Sequence, residues 1–132
     1  MSEDRGPEGV AELLRAALTA HDTARLATLL DPGVRWGGEE DTDSTCHSRD
    51  DVLRWYAGLH AAGVRTRVDE VVVHGQVVIL GTTIDWPHCD DPDEERPDRL
   101  FHVFRIRGGL VYDIRGCPDL QQALADADTV IP

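Results

Sequence analysis

The stretch His102-Val103-Phe104-Arg105-Ile106-Arg107-Gly108-Gly109-Leu110-Val111-Tyr112-Asp113-Ile114-Arg115-Gly116 decides the fold. Two runs rich in β-branched and aromatic residues flank a pair of glycines, the sequence signature of a two-residue hairpin turn. That turn pairs Arg107 with Leu110. Counting outward sets Ile106 opposite Val111, Phe104 opposite Asp113, His102 opposite Arg115 and Leu100 opposite Cys117. Partners on antiparallel strands share a face of the sheet. One face is thus expected to carry Leu100, His102, Phe104, Ile106, Val111, Asp113, Arg115 and Cys117. The other carries Phe101, Val103, Arg105, Arg107, Leu110, Tyr112 and Ile114. Both faces are largely apolar, so one must meet helices and the other something else, most simply a second copy of the chain.

Upstream, residues 76–86 read as a mostly apolar strand and residues 64–73 as an alternating one, with a turn at His74-Gly75. The count from that turn pairs Val72 with Val77, Glu70 with Ile79, Val68 with Gly81, Thr66 with Thr83 and Val64 with Asp85. A bulge near Asp69-Glu70 would shift this register. Pro87 to Asp98 is an acidic connector with three prolines. Before the strands come helices. Val10, Leu13, Leu14, Ala17 and Leu18 recur on one helical face. Asp22 caps a second helix that carries Leu26, Leu29 and Leu30, and Asp31-Pro32-Gly33 stops it. Val34-Arg35-Trp36 is a short strand before Gly37-Gly38. Ser48-Arg49-Asp50-Asp51 resembles a capping box, opening a helix with Val52, Trp55, Tyr56 and Leu59 on one face and Gly63 at its end. Residues 118–127 carry a last helical turn or two. The order predicts an α+β domain, N-terminal helices packed on a curved antiparallel sheet, spanning residues 10–127. Residues 1–9 form a flexible start and 128–132 a tail.

The 132 residues are the size of one domain and long enough to bury a core. Thirteen basic against twenty-five acidic residues give a net charge of −12. So acidic a surface argues against nucleic acid and anionic membrane as partners. No apolar run reaches the roughly 18 residues of a spanning helix. The N-terminus lacks the basic and apolar regions of a signal peptide. Cys46, Cys89 and Cys117 are odd in number and scattered, which predicts free thiols in a reducing cytoplasm. Cys46-His47 and His88-Cys89 match no common zinc spacing, and Asp90 to Glu95 lacks the glycine and terminal glutamate of a calcium loop. No phosphate loop or dinucleotide fingerprint is present, so neither metal nor cofactor is expected.

Residues 29–36, the helix start at Ser48 to Leu53, and the hairpin from His102 to Gly116 together resemble the nuclear transport factor 2-like superfamily, in its SnoaL-like branch. The resemblance spans roughly residues 10–120. It implies a cone of helices and curved sheet around one deep pocket, and a range of reactions including polyketide cyclisation, ketosteroid isomerisation and epoxide hydrolysis. It puts Trp36 where ketosteroid isomerase has its general base and His102 where that enzyme has the acid of its oxyanion hole, so steroid isomerisation does not follow. It sets Asp85, Thr83 and Arg115 at the Asp-Arg-Asp cluster of the epoxide hydrolase, with one carboxylate kept and the arginine moved to another strand. It makes Asp113 the nearest counterpart of the acid–base residue on the last strand of the cyclases.

The residues and the resemblance together give an expected site. His102 is the base or acid, Asp113 its partner, Arg115 the anion stabiliser and Asp85 an auxiliary acid. Trp36, Tyr56, Phe104, Thr83 and Cys117 contact substrate. A buried Asp or Arg must be paired or neutralised, which gives the rival reading of Asp113–Arg115 as a structural ion pair and of His102 as a core histidine. The expected function is cofactor-free general acid–base chemistry on a small, largely apolar molecule: cyclisation, isomerisation, dehydration or hydrolysis. The alternative is a non-catalytic ligand-binding or dimerisation module on the same fold. The apolar outer face predicts a homodimer packed sheet to sheet, with Val103 and Ile114 near its centre.

Overall fold

The structure is a computed structural model; it describes residues 6–37, 42–43, 45–85 and 99–128. The acidic connector with His88-Cys89 and Trp86, the first five residues, Gly38 and residues 129–132 lie outside these. Helix α1 (Pro7–Ala20) begins with proline in its first turn, where the missing N–H costs nothing, so residues 7–9 are helical rather than part of a loose start. It ends at His21, whose φ of 52° is left-handed. Asp22 then caps α2 (Thr23–Ala27), accepting from the Arg25 N–H at 3.0 Å. Ser48 caps α3 (Arg49–Ala61) by accepting from the Asp51 N–H at 3.1 Å, as its sequence implies. Gly63, at φ 95°, turns the chain out of α3.

Strand β1 (Leu30–Gly37) runs through the Asp31-Pro32-Gly33 stretch expected only to stop a helix. It is followed, after α3, by β2 (Arg65–His74), β3 (Val77–Asp85), β4 (Arg99–Arg107) and β5 (Leu110–Cys117). The sheet order is β1-β5-β4-β3-β2. Four strands form an antiparallel meander as expected, but β1 lies parallel to β5, so the sheet is mixed. A last helix, α4 (Leu120–Ala127), is capped by Asp119 accepting from the Gln122 N–H at 2.7 Å.

Two one-residue bulges set which side chains meet. In the β4–β5 hairpin the turn is as counted, with Arg107 opposite Leu110 and Ile106 opposite Val111. Tyr112 is then an extra residue, so Arg105, not Phe104, faces Asp113, and Val103, not His102, faces Arg115. A one-residue slip sends every later side chain to the other face. The β2–β3 turn is Gly75-Gln76 rather than His74-Gly75, a two-residue shift that keeps the faces. Asp69 then bulges, pairing Val68 with Thr82 and Thr66 with Ile84.

The sheet is therefore covered on both sides. On the inner face, Val78, Leu80, Phe104, Ile106, Val111 and Ile114 pack with Val10, Leu14 and Leu18 of α1 and Val52 and Tyr56 of α3. On the outer face, Ile79, Phe101, Val103 and Cys117 pack under Leu120, Ala123 and Leu124 of α4. The expected dimer centre does not stand as placed. Ile114 faces inward, and Val103, 0% exposed, is covered by the chain's own C-terminal helix.

Candidate functional site

A cavity of about 300 Å³ lies between α1, α2, α3 and the inner face of the sheet. Strand β1 brings Trp36 to its wall, and α3 brings Val52, Trp55, Tyr56 and Leu59. The sheet contributes Thr66, Thr82, Ile84, Leu100, His102, Phe104 and Ile114, while Leu18, Leu26 and Val64 complete the lining. Aromatic rings form a continuous surface. Trp36 meets His102 edge-on at 5.7 Å between centroids, Trp55 at 4.6 Å and Tyr56 at 6.1 Å, and His102 lies 6.3 Å from Phe104.

His102 is the only titratable imidazole in this wall, and desolvation pushes its pKa down to about 4. It is neutral at pH 7 and can accept or donate one hydrogen bond at each ring nitrogen. Among the described residues no side chain or backbone group hydrogen-bonds its ring, which leaves both nitrogens for an occupant of the cavity. Gly116 stands beside it across the strand pair, so no side chain crowds Nε2. The Tyr56 hydroxyl is pushed up to about 12 by burial, against the opposing pull of the Thr66 side chain, and stays protonated. Thr82 is already engaged, donating to the Leu100 carbonyl at 3.1 Å. The wall thus pairs a neutral imidazole and a protonated phenol with an otherwise apolar surface, and no carboxylate, guanidinium or ammonium lies among its described residues.

Of the expected site residues, His102, Trp36, Tyr56 and Phe104 line the cavity. The others do not: a bulge turns Asp113, Arg115 and Cys117 away, and the unbroken alternation of β3 against β4 does the same for Thr83 and Asp85. Asp113, Arg115 and Cys117 follow Tyr112 and are turned to the outer face. Cys117 packs beneath α4. Thr83 pairs with Arg99 of β4 and points outward, where its hydroxyl donates to the Asp69 carboxylate. Asp85 is exposed at the end of β3, in register with Arg65. The expected catalytic cluster of His102 with Asp113 and Arg115 is therefore split across the sheet. Asp113 instead sits in a buried ionic group. Its Oδ2 is 3.3 Å from both Arg105 and Arg115, and its Oδ1 is 3.7 Å from Arg35. Asp126 of α4 completes the group, 3.1 Å from Arg105 and 3.4 Å from Arg115, with its carbonyl also accepting from Arg105. Burial pushes the Asp113 carboxyl above its ordinary value, while the three guanidinium groups pull it down.

Sequence reasoning missed Thr66 and Ile114 as wall residues because each lies beyond a bulge, and Thr82 and Ile84 because no local signal sets β3 in register with β4, where Leu80 meets His102 and Thr82 meets Leu100. It also read Trp55 as helix core, whereas its side chain is 46% exposed overall and lines the cavity. No group of three or more metal-ligating side chains occurs among the described residues, which include Cys46 and His47. No helix there is long and apolar enough to cross a membrane.

Solved structures similar to this chain share its architecture. A candidate polyketide cyclase from Sinorhizobium meliloti superposes with a TM-score of 0.63 at 19% identity, over 89% of this chain and 99% of that one. A candidate ketosteroid isomerase from Kribbella flavida gives 0.63 at 18% identity, over 96% and 90%. An LEH-like epoxide hydrolase from M. tuberculosis gives 0.58 at 12% identity, over 88% and 80%. These likenesses establish a nuclear transport factor 2-like fold and leave the reaction open. Among curated proteins, none matches the sequence. The family model described as "SnoaL-like domain" matches residues 10–114, most of the chain and all of the cavity wall. The chain belongs to the SnoaL-like domain family.

Proposed function

We propose that this chain binds a small, uncharged, largely apolar organic molecule in the cavity, and that His102 moves a proton on it. The observation that carries the reading is the pairing of a neutral imidazole with a protonated phenol inside an apolar wall. A charged ligand would have to shed its water with no countercharge to meet it. An imidazole that is neutral at pH 7 has a free lone pair and can return the proton it takes. A phenol that does not ionise can donate a hydrogen bond to an oxygen that gains charge as the proton leaves. Isomerisation, cyclisation and dehydration fit that pair. The reaction calls for no cofactor.

A second reading, a non-catalytic ligand carrier, is favoured by one specific observation: among the described residues no hydrogen-bonding group orients the His102 ring, whereas catalytic bases are normally held by a third residue. The homodimer expected from the sequence keeps a place in either reading only with a different interface, since α4 rather than Val103 faces outward.

Exchange of the acidic α-protons of 2-tetralone in D₂O, followed by NMR, separates the readings without the natural substrate. Saturable exchange that His102→Gln removes supports proton transfer. Saturable binding with exchange at the buffer rate makes the chain a carrier. No binding by any neutral bicyclic ketone contradicts both.

A further inference from the structure

Trp55 occupies two voids at once. It lines the cavity beside Trp36, whose ring it meets edge-on. The same residue also lines an outer groove with Asp43, Thr45, Cys46, Asp51 and Arg54. It is one of only two large hydrophobic side chains exposed among the described residues. The indole takes no part in the buried core. Its helix does not require it either, since α3 buries Val52 and Tyr56 and leaves Trp55 to the side.

The two neighbouring tryptophans are held very differently. Trp36 lies in β1, its N–H donating to the Cys46 carbonyl at 3.0 Å and its carbonyl accepting from the Cys46 N–H at 2.9 Å. Its ring touches three others: Trp55, Tyr56 and His102. Among the described residues Trp55 has one ring contact, the edge-on one with Trp36. Rotation of Trp55 about its own side-chain bonds would give up that ring contact, keep the helix intact and withdraw a side chain that borders both voids. The same rotation of Trp36 would break three.

We propose that Trp55 is the gate of the cavity and that ligand passes from the Asp43–Arg54 groove past its indole to reach His102. This rests on the reading that the cavity binds small apolar molecules, and it adds the route and the moving part. A gate controls rates in both directions, so truncating it moves both rates far more than it moves affinity, even where the same side chain also borders the cavity.

Stopped-flow mixing with the neutral fluorophore 1-aminoanthracene tests this. Trp55→Ala is expected to raise association and dissociation rates together by roughly ten-fold or more, with Kd within about three-fold of wild type, and Trp55→Phe to fall between. Leu59→Ala, a truncation of the wall away from the groove, is expected to act on the dissociation rate alone. Unchanged rates in Trp55→Ala overturn the gate and put the mouth elsewhere. An unchanged association rate with weakened Kd overturns it too, and makes Trp55 a wall residue and nothing more. Exclusion of the dye from wild type and admission by Trp55→Ala supports a closed gate; exclusion from both overturns it. Dye kinetics as expected without any deuterium exchange at 2-tetralone would remove the proton-transfer reading and leave the gate standing.

Discussion

Arg105 and Asp113 face each other across the last hairpin, guanidinium and carboxylate 3.3 Å apart, with side chains only 4% and 5% exposed. Two charges so deeply buried are stable only as a paired group, and here α4 supplies the closing member, Asp126. The group ties the C-terminal helix to the outer face of the sheet. Its chemistry is that of a fastener, on the side of the sheet away from the cavity.

Asp113→Asn should cost about 3 kcal/mol of stability, because it leaves three guanidinium groups around a neutral amide. Thermal and urea denaturation check this. Replacing the pair together, as Arg105→Met with Asp113→Leu, should recover much of the loss, since apolar side chains of similar volume often replace a buried ion pair without penalty. A double variant no better than Asp113→Asn would contradict the fastener role.

Acid should destabilise the fold through His102. Its folded pKa of about 4 lies below the ordinary value of 6.5. Between those values the unfolded chain binds a proton that the folded chain refuses, so stability falls as pH drops from 6.5 towards 4. The ceiling on this loss is about 3 kcal/mol, from the size of the shift. His102→Phe should flatten that part of the stability–pH curve. An NMR titration of the His102 ring with a midpoint near 6.5 would contradict the burial that underlies it.

Gly81→Ala should destabilise by about 1–3 kcal/mol. A Cβ there would lie 2.8 Å from the Phe101 ring, which is buried against the outer face and cannot swing clear, and 3.1 Å from the Glu70 Cβ. Phe101→Leu combined with Gly81→Ala should lose less than the two single costs added together, read in the same denaturation series. Additive costs would show that the ring is not the obstacle.

The sequence carried the helices, their caps and the hairpin turn at Gly108-Gly109 because those signals are local. Ser48 and Asp22 sit where a cap must sit, and paired glycines admit the positive φ of 62° and 78° that the turn takes. It set His102 and Phe104 on one face because β4 alternates without interruption, and both line the cavity with Trp36 and Tyr56. Asp113, Arg115 and Cys117 were lost at Tyr112, and Thr83 and Asp85 because nothing local fixes the register of β3 on β4. A bulge residue looks like any strand residue, and its effect is felt only in what lies beyond it. The same one-residue slip moved Asp113 and Arg115 outward and Ile114 inward. The parallel pairing of β1 with β5 was equally invisible, for it joins segments some eighty residues apart and no local pattern specifies it.

The claim at the centre of this account is that the chemistry faces the helices and not α4. The measurement that tests it most directly is the 2-tetralone exchange rate of His102→Gln beside that of Asp113→Asn, each at a temperature where circular dichroism shows it folded. The account predicts that His102→Gln falls to the buffer rate while folded Asp113→Asn keeps the wild-type rate. The reverse, loss of exchange in folded Asp113→Asn with activity kept in His102→Gln, would contradict it and return the active site to the outer face.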